Sequence, residues 1–233
     1  MNLVTTMALF LTLPLAAGAL VQFSKPNATL LRLLLAFSGS FLLSVALTHM
    51  MPELYAVGGE GIGPWLLGGF MLQVVLEFFS HGIEHGHMHV APGRALPFLT
   101  LFSLCLHSFT EGLPFADPSV HGDLPFLIGV LLHKLPMAIA LATVLQRSKV
   151  PSGQSWFMIT VFAAAAPFGM AVGHLGGSGL GAEFLHRSLA VAIGMLLHIG
   201  TTIIFETTPE HRFNLQRFAA VLVGAFLALW MVH

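Results

Sequence analysis

Apolar positions along the chain do not alternate with polar ones. They run in long blocks, each near the twenty residues that a helix needs to cross a hydrocarbon layer. Eight such blocks predict helices at about 3 to 22, 30 to 51, 64 to 80, 96 to 115, 125 to 146, 155 to 174, 186 to 205 and 215 to 232. The first break rests on SKPN, Ser24 to Asn27, and later ones on Gly- or Pro-rich turns such as Gly58 to Pro64. The expected fold class is therefore all-α: a polytopic membrane protein of eight transmembrane helices, with residues 1–233 as a single transmembrane domain.

Composition agrees with the pattern. Hydrophobic residues make up 56% of the 233 and charged residues 8%, against about 25% charged in soluble domains. The natural partner is a lipid bilayer. A net charge of -1 with no basic cluster gives no reason to expect a nucleic-acid partner. The few positive charges are unevenly spread: Lys25, Arg32, Arg94, Arg147, Lys149, Arg212 and Arg217 fall at odd-numbered loops, Arg187 at an even one, and Lys134 inside a helix. By the positive-inside rule both termini face outward, and the loops after helices one, three, five and seven face the cytoplasm, in a plasma (inner) membrane. No Lys or Arg precedes the first block, the reverse of a signal peptide, so that helix is expected to be retained.

The chemistry concentrates between Leu104 and Met137. LFSLCLHSFTEGLPF places His107 and Glu111 four residues apart, and FLIGVLLHKLPMAIALA does the same with His133 and Met137, so each pair shares a helix face. Ionisable groups deep in an apolar helix cost roughly 2.5 to 3.5 kcal/mol each on insertion scales and mark a site by default. The connection between the two helices is short, which makes them antiparallel neighbours. Imidazole nitrogen, carboxylate oxygen and thioether sulfur at one depth suit a borderline divalent cation such as Zn2+. The plainer alternatives are hydrogen-bonded interhelical histidines and, for Met137, simple packing. Four such positions on two neighbouring helices argue for a site, with Met137 its weakest member. Pro114 and Pro136 free the carbonyls of Thr110 and Leu132, which is tolerated where a carbonyl lines a cavity or faces an ion. Lys134, next to His133, points off the His133 and Met137 face. Its expected partner is Glu77 or Glu111, and its charge repels a second cation, so one bound metal is expected.

Two other polar groups stand out. THMMPEL leaves His49 and Glu53 one turn apart at the outer end of the second helix, either a way in for a cation or an ordinary polar helix end stopped by Pro52. His81, Glu84, His85, His87 and His89 follow the third helix in a loop of about 81–95 that is expected to be cytoplasmic and to hold divalent metal loosely, the plainer alternative being a merely solvated polar loop. The lone cysteine, Cys105, excludes an intramolecular disulfide and Cys-based zinc motifs.

HSFTEG at 107 to 112 and HKLPMA at 133 to 138 resemble the helix-four and helix-five signatures of the ZIP family of zinc and iron transporters. The resemblance extends through SGSFLLSVALTHMMPEL, GGFMLQVVLEFFSHGIEHGHMH and FETTPEH, and so covers most of the chain. It implies an eight-helix bundle, often a homodimer, that moves divalent metal toward the cytoplasm, with Zn2+ as substrate and Cd2+, Fe2+ or Mn2+ as alternatives. It also implies that His107 and Glu111 are metal ligands and that His133 occupies the first ligand position of helix five. Two-metal members carry an acidic residue directly after that His and another three positions on. Here those positions are Lys134 and Met137, which resembles the branch whose helix-five motif begins His-Lys. Some members are thought to slide helices one, four, five and six against the rest. The rival reading is an intramembrane zinc-dependent hydrolase, which needs three firm ligands, an open water position and a general base. No HExxH or comparable motif supplies these, so no enzyme is expected.

Overall fold

The computed structural model describes residues 1–24, 27–80, 82–83, 98–206 and 214–233. Among them the chain forms α1 (Leu3–Phe23), α2 (Ala28–Val45), α3 (Met51–Gly58), α4 (Gly63–Ser80), α5 (Phe98–Gly112), α6 (Pro118–Gly122), α7 (Leu124–Arg147), α8 (Ser152–Leu180), α9 (Ala182–Glu206) and α10 (Leu215–Val232). The architecture is all-helical. Asn or Asp starts α1, α2, α6, α7 and α10, with the side chain of Asn2, Asn27, Asp117, Asp123 or Asn214 accepting a backbone N–H that the first turn cannot bond itself. The turn from α8 to α9 passes through Gly181 at φ 85°, a left-handed conformation that glycine adopts without penalty.

Each of the eight apolar blocks contains a helix, with three departures from the expected bounds. Seven described helices are long and apolar enough to cross a membrane. The fourth block is shorter than expected: α5 ends at Gly112, and the chain tightens into a 3-10 turn over Leu113–Ala116, where Pro114 lacks the N–H that would continue the α-helix. The second block is longer. The expected bound is about residue 51, with Pro52 as the stop in one of the two readings, yet the helix continues to Gly58 through a π-helical turn at Ala46–Met50, so that Ala28–Gly58 is one 31-residue span. The wide turn absorbs the register change: the N–H of Met51 reaches back to the Ala46 carbonyl, five residues earlier. The third departure is at the sixth and seventh blocks, which only lengthen, to Ser152–Leu180 and Ala182–Glu206.

α7 is the centre of the bundle, buried along most of its length between α1 and α2. α1 also packs on α8, α8 on α5, α4 on α9, and α2 on both α9 and α10. The closest of these approaches are made by glycines. A Cβ on Gly112, Gly169 or Gly173 would meet the backbone across the α5–α8 contact, and one on Gly69 or Gly194 the backbone across α4–α9. Gly224 of α10 does the same against α2. Two halves emerge: α1, α5, α7 and α8 in the first, α2, α4, α9 and α10 in the second. Two apolar clusters fill the bundle, one around Phe10, Phe41, Phe115 and Phe126 toward the α3 end, the other around Leu104, Leu141, Phe162 and Ile203 toward the opposite end.

Candidate metal centre

Between those clusters lies a fully buried polar group. α5 supplies His107 and Glu111 from one face, as their four-residue spacing requires, and α7 supplies His133 and Lys134. His107, His133 and Lys134 are 0% exposed and Glu111 is 1%. One ligand atom from each of His107, Glu111 and His133 lies within 4.8 Å of the others. A tetrahedral cation at about 2.0 Å from each donor holds its ligands about 3.3 Å apart, so a small contraction closes the group on an ion. The two imidazoles stand edge-on, with ring centroids 6.1 Å apart and planes at 79°.

Each of these groups is oriented by a neighbour. Nε2 of His107 faces Oε1 of Glu111 at 3.0 Å, and both atoms are buried. The other oxygen of Glu111 accepts from the Lys134 ammonium. Nδ1 of His107 lies 2.9 Å from the amide oxygen of Gln73, on α4. Lys134 in turn sits over two aromatic rings, 5.6 Å from the centroid of Phe10 and 5.8 Å from that of Phe162, where the ring quadrupoles favour its charge. Of the two partners expected for Lys134, the structure selects Glu111; Glu77 pairs instead with His198 of α9. Met137, one turn beyond His133, is 1% exposed and packs within the second apolar cluster.

A second group occupies the α3 end. The π-helical turn carries His49, whose Nδ1 is 3.3 Å from Oε1 of Glu53. Its Nε2 is 2.5 Å from Oδ2 of Asp123, the residue that caps α7 by accepting the Phe126 N–H through Oδ1. His49, Glu53 and Asp123 thus converge within 4.8 Å, half-open to solvent, beside a cavity of about 100 Å3 that Glu53, Asp117, Asp123 and His186 help to line. The candidate loop residues His81, Glu84, His85, His87 and His89 lie outside the described residues.

A family model described as ZIP Zinc transporter matches residues 84–231, which include all three central ligand candidates. The chain belongs to this family. Zinc transporter ZIP2 of Homo sapiens is 31% identical to it over 185 residues, covering 72% of this chain and 59% of that protein. Zinc transporter ZIP9-B of Xenopus laevis is 26% identical over 174 residues, covering 70% of this chain and 55% of its own length. The present chain thus aligns with little more than half the length of these two ZIP relatives. Its membrane-spanning helices make it an integral membrane protein.

Three residues of this ZIP chain's polar groups escape a reading of local spacing. Gln73 is the one amide in the apolar block of α4, a signal that polarity within a span provides. Asp123 precedes Leu-Pro at a helix start and reads as a cap, which it is, while its second oxygen does something a cap does not require. His198 sits alone in mid-helix, and only the packing of α4 against α9 brings Glu77 to it.

Proposed function

We propose that this ZIP protein carries Zn2+, or a divalent cation like it, into the cytoplasm, one ion at a time, with His107, Glu111 and His133 as the central ligands. The observation that carries this reading is the buried group itself: two imidazoles and a carboxylate within 4.8 Å, enclosed in the helix bundle. That its curated relatives are named zinc transporters supports the choice of metal. Charge supports the stoichiometry. Glu111 and Lys134 cancel, so one dication brings the enclosed site to about +2 and a second would bring it to about +4 in a low-dielectric interior. Met137 is the fourth candidate donor, a soft sulfur that tolerates Zn2+ and Cd2+ better than Mn2+.

In this reading the chain spans the membrane eight times with both termini outside. His49, Glu53 and Asp123 meet the ion at the outer mouth, the aromatic cluster of Phe10, Phe115 and Phe126 separates them from the centre, and the histidine loop receives the ion inside. Sliding of one half against the other would open this seal, and the distribution of the glycine contacts supports it: backbone meets backbone within each half, whereas Gly129 of α7 faces only side chains of α2. A transporter is preferred over a hydrolase because the carboxylate in the group is taken up by Lys134 and is badly placed as a general base.

The test is uptake of radiolabelled zinc by sealed vesicles containing the purified protein. His107→Ala and Glu111→Ala should each bring uptake to the level of empty vesicles while the folded protein stays in the membrane, and Cd2+ should compete with zinc better than Mn2+ does. Undiminished uptake by both variants removes the proposal.

A further inference from the structure

We infer that Gln73 fixes which nitrogen of His107 meets the metal, and so sets the affinity of the central site from the neighbouring half of the bundle. The inference rests on the reading of His107 as a ligand. An amide oxygen has only lone pairs to offer, so the contact of 2.9 Å between Gln73 Oε1 and His107 Nδ1 requires the ring proton on Nδ1. The lone pair is then on Nε2, the nitrogen that faces Glu111. The opposite amide orientation would donate into Nδ1 and move the proton to Nε2, where it would block coordination. A ligand histidine held at its far nitrogen is also fixed in ring orientation and made more basic toward the metal.

Gln73 is 0% exposed, and its amide nitrogen is buried without a hydrogen-bond partner. Such an unmet donor is destabilising, a penalty that leucine in the same space would not incur. Space-filling therefore does not account for the amide, whereas its oxygen has a defined task. Two further links hold the α4–α5 register in which that task is possible: Ser103 Oγ donates to the Leu76 carbonyl at 2.6 Å, and Thr100 Oγ1 to the Phe79 carbonyl at 3.0 Å. His107, Ser103 and Thr100 form one stripe of α5, and Gln73, Leu76 and Phe79 follow along α4 in the opposite direction, so the His107–Gln73 contact is the third rung of the same ladder.

The experiment titrates the purified, detergent-solubilised protein with Co2+, whose visible ligand-field bands report coordination. The part of the titration that His107→Ala lacks belongs to the central site. In Gln73→Leu that part should shift to about 10- to 100-fold higher Co2+, and the zinc KM of uptake should rise while the maximal rate per folded molecule holds. Gln73→Glu, which keeps the accepting oxygen and loses the donor, should bring the titration back to that of the unaltered protein or tighter. An unshifted titration in Gln73→Leu overturns the inference, as does a Gln73→Glu protein that binds as weakly as the leucine variant. Should Gln73→Leu not fold, loss of the His107-dependent bands in Gln73→Glu overturns it alone. If His107→Ala titrates like the unaltered protein, the fault lies in the proposed central site, an outcome distinct from failure of Gln73.

Discussion

Lys134 puts a fixed positive charge inside the central group. It is 0% exposed, paired with Glu111 and placed over Phe10 and Phe162. Taking a lysine out of water is expensive, and its removal from a buried pair leaves the partner charge uncompensated at a cost of about 3–5 kcal/mol. Lys134→Ala should therefore lower the melting temperature of the metal-free protein, because Glu111 is left alone. Zinc should restore more stability to this variant than to the unaltered protein, since the ion then supplies the missing positive charge. Thermal melts with and without zinc check both points, and an equal zinc-induced shift in the two proteins would show that Lys134 and the metal do not share Glu111. The sequence made Lys134 conspicuous and offered Glu77 and Glu111 as partners; the choice between them is made by α4 packing on α9, which delivers His198 to Glu77.

At the scale of elements, two features shape the site: the π-helical turn at Ala46–Met50 and the glycine contacts between helices. The turn lets the second span run through Pro52 to Gly58 and sets His49 between Glu53 and Asp123. The glycines set how near the helices lie. At Gly194 an added Cβ would fall inside the van der Waals shell of the Leu66 carbonyl, whereas at Gly68 of the packed helix α4 it would meet open space. Gly194→Ala should thus lower stability by about 1–3 kcal/mol or more through overpacking against backbone that cannot yield. Gly68→Ala should be neutral or slightly stabilising, as alanine is the better helix former. Comparison of melting temperatures and detergent-solubilised yield decides this, and equal behaviour of the two variants would mean that α4 and α9 separate without penalty.

The whole molecule brings groups from the two halves into contact at both polar sites. His49 and Glu53 come from the span of α2 and α3, and Asp123 from the start of α7; Gln73 comes from α4 and His107 from α5. If uptake requires the halves to move, tying them together at the outer group should stop it. A protein with His49→Cys and Asp123→Cys on a Cys105→Ser background, bridged by a short reducible bis-thiosulfonate linker, should take up less zinc when bridged than after reduction, with each single-cysteine protein on that background unaffected by the same treatment. Equal uptake by the bridged and reduced forms would show that transport proceeds without separation at this point.

The sequence by itself determined the number and rough placement of apolar blocks, because a membrane span leaves a composition signal over twenty residues that local structure cannot hide. It also put His107 and Glu111 on one face of a helix, since helical spacing leaves little freedom. The expectation that the helices of His107 and His133 are packed neighbours fails: α5 packs on α8 and α4, α7 on α1 and α2, and the two meet through the side chains of the central group. The sequence put Pro52 at a helix end, where a change of register carries the helix on, a local event with no compositional mark. Only the tertiary structure decided that Gln73 holds His107, that Asp123 closes the outer group, and that Glu111 answers to Lys134. Those contacts join residues 23, 34 and 74 positions apart, and which side chains meet across such distances is set by how close the glycines allow the helices to come and by the register in which they pack.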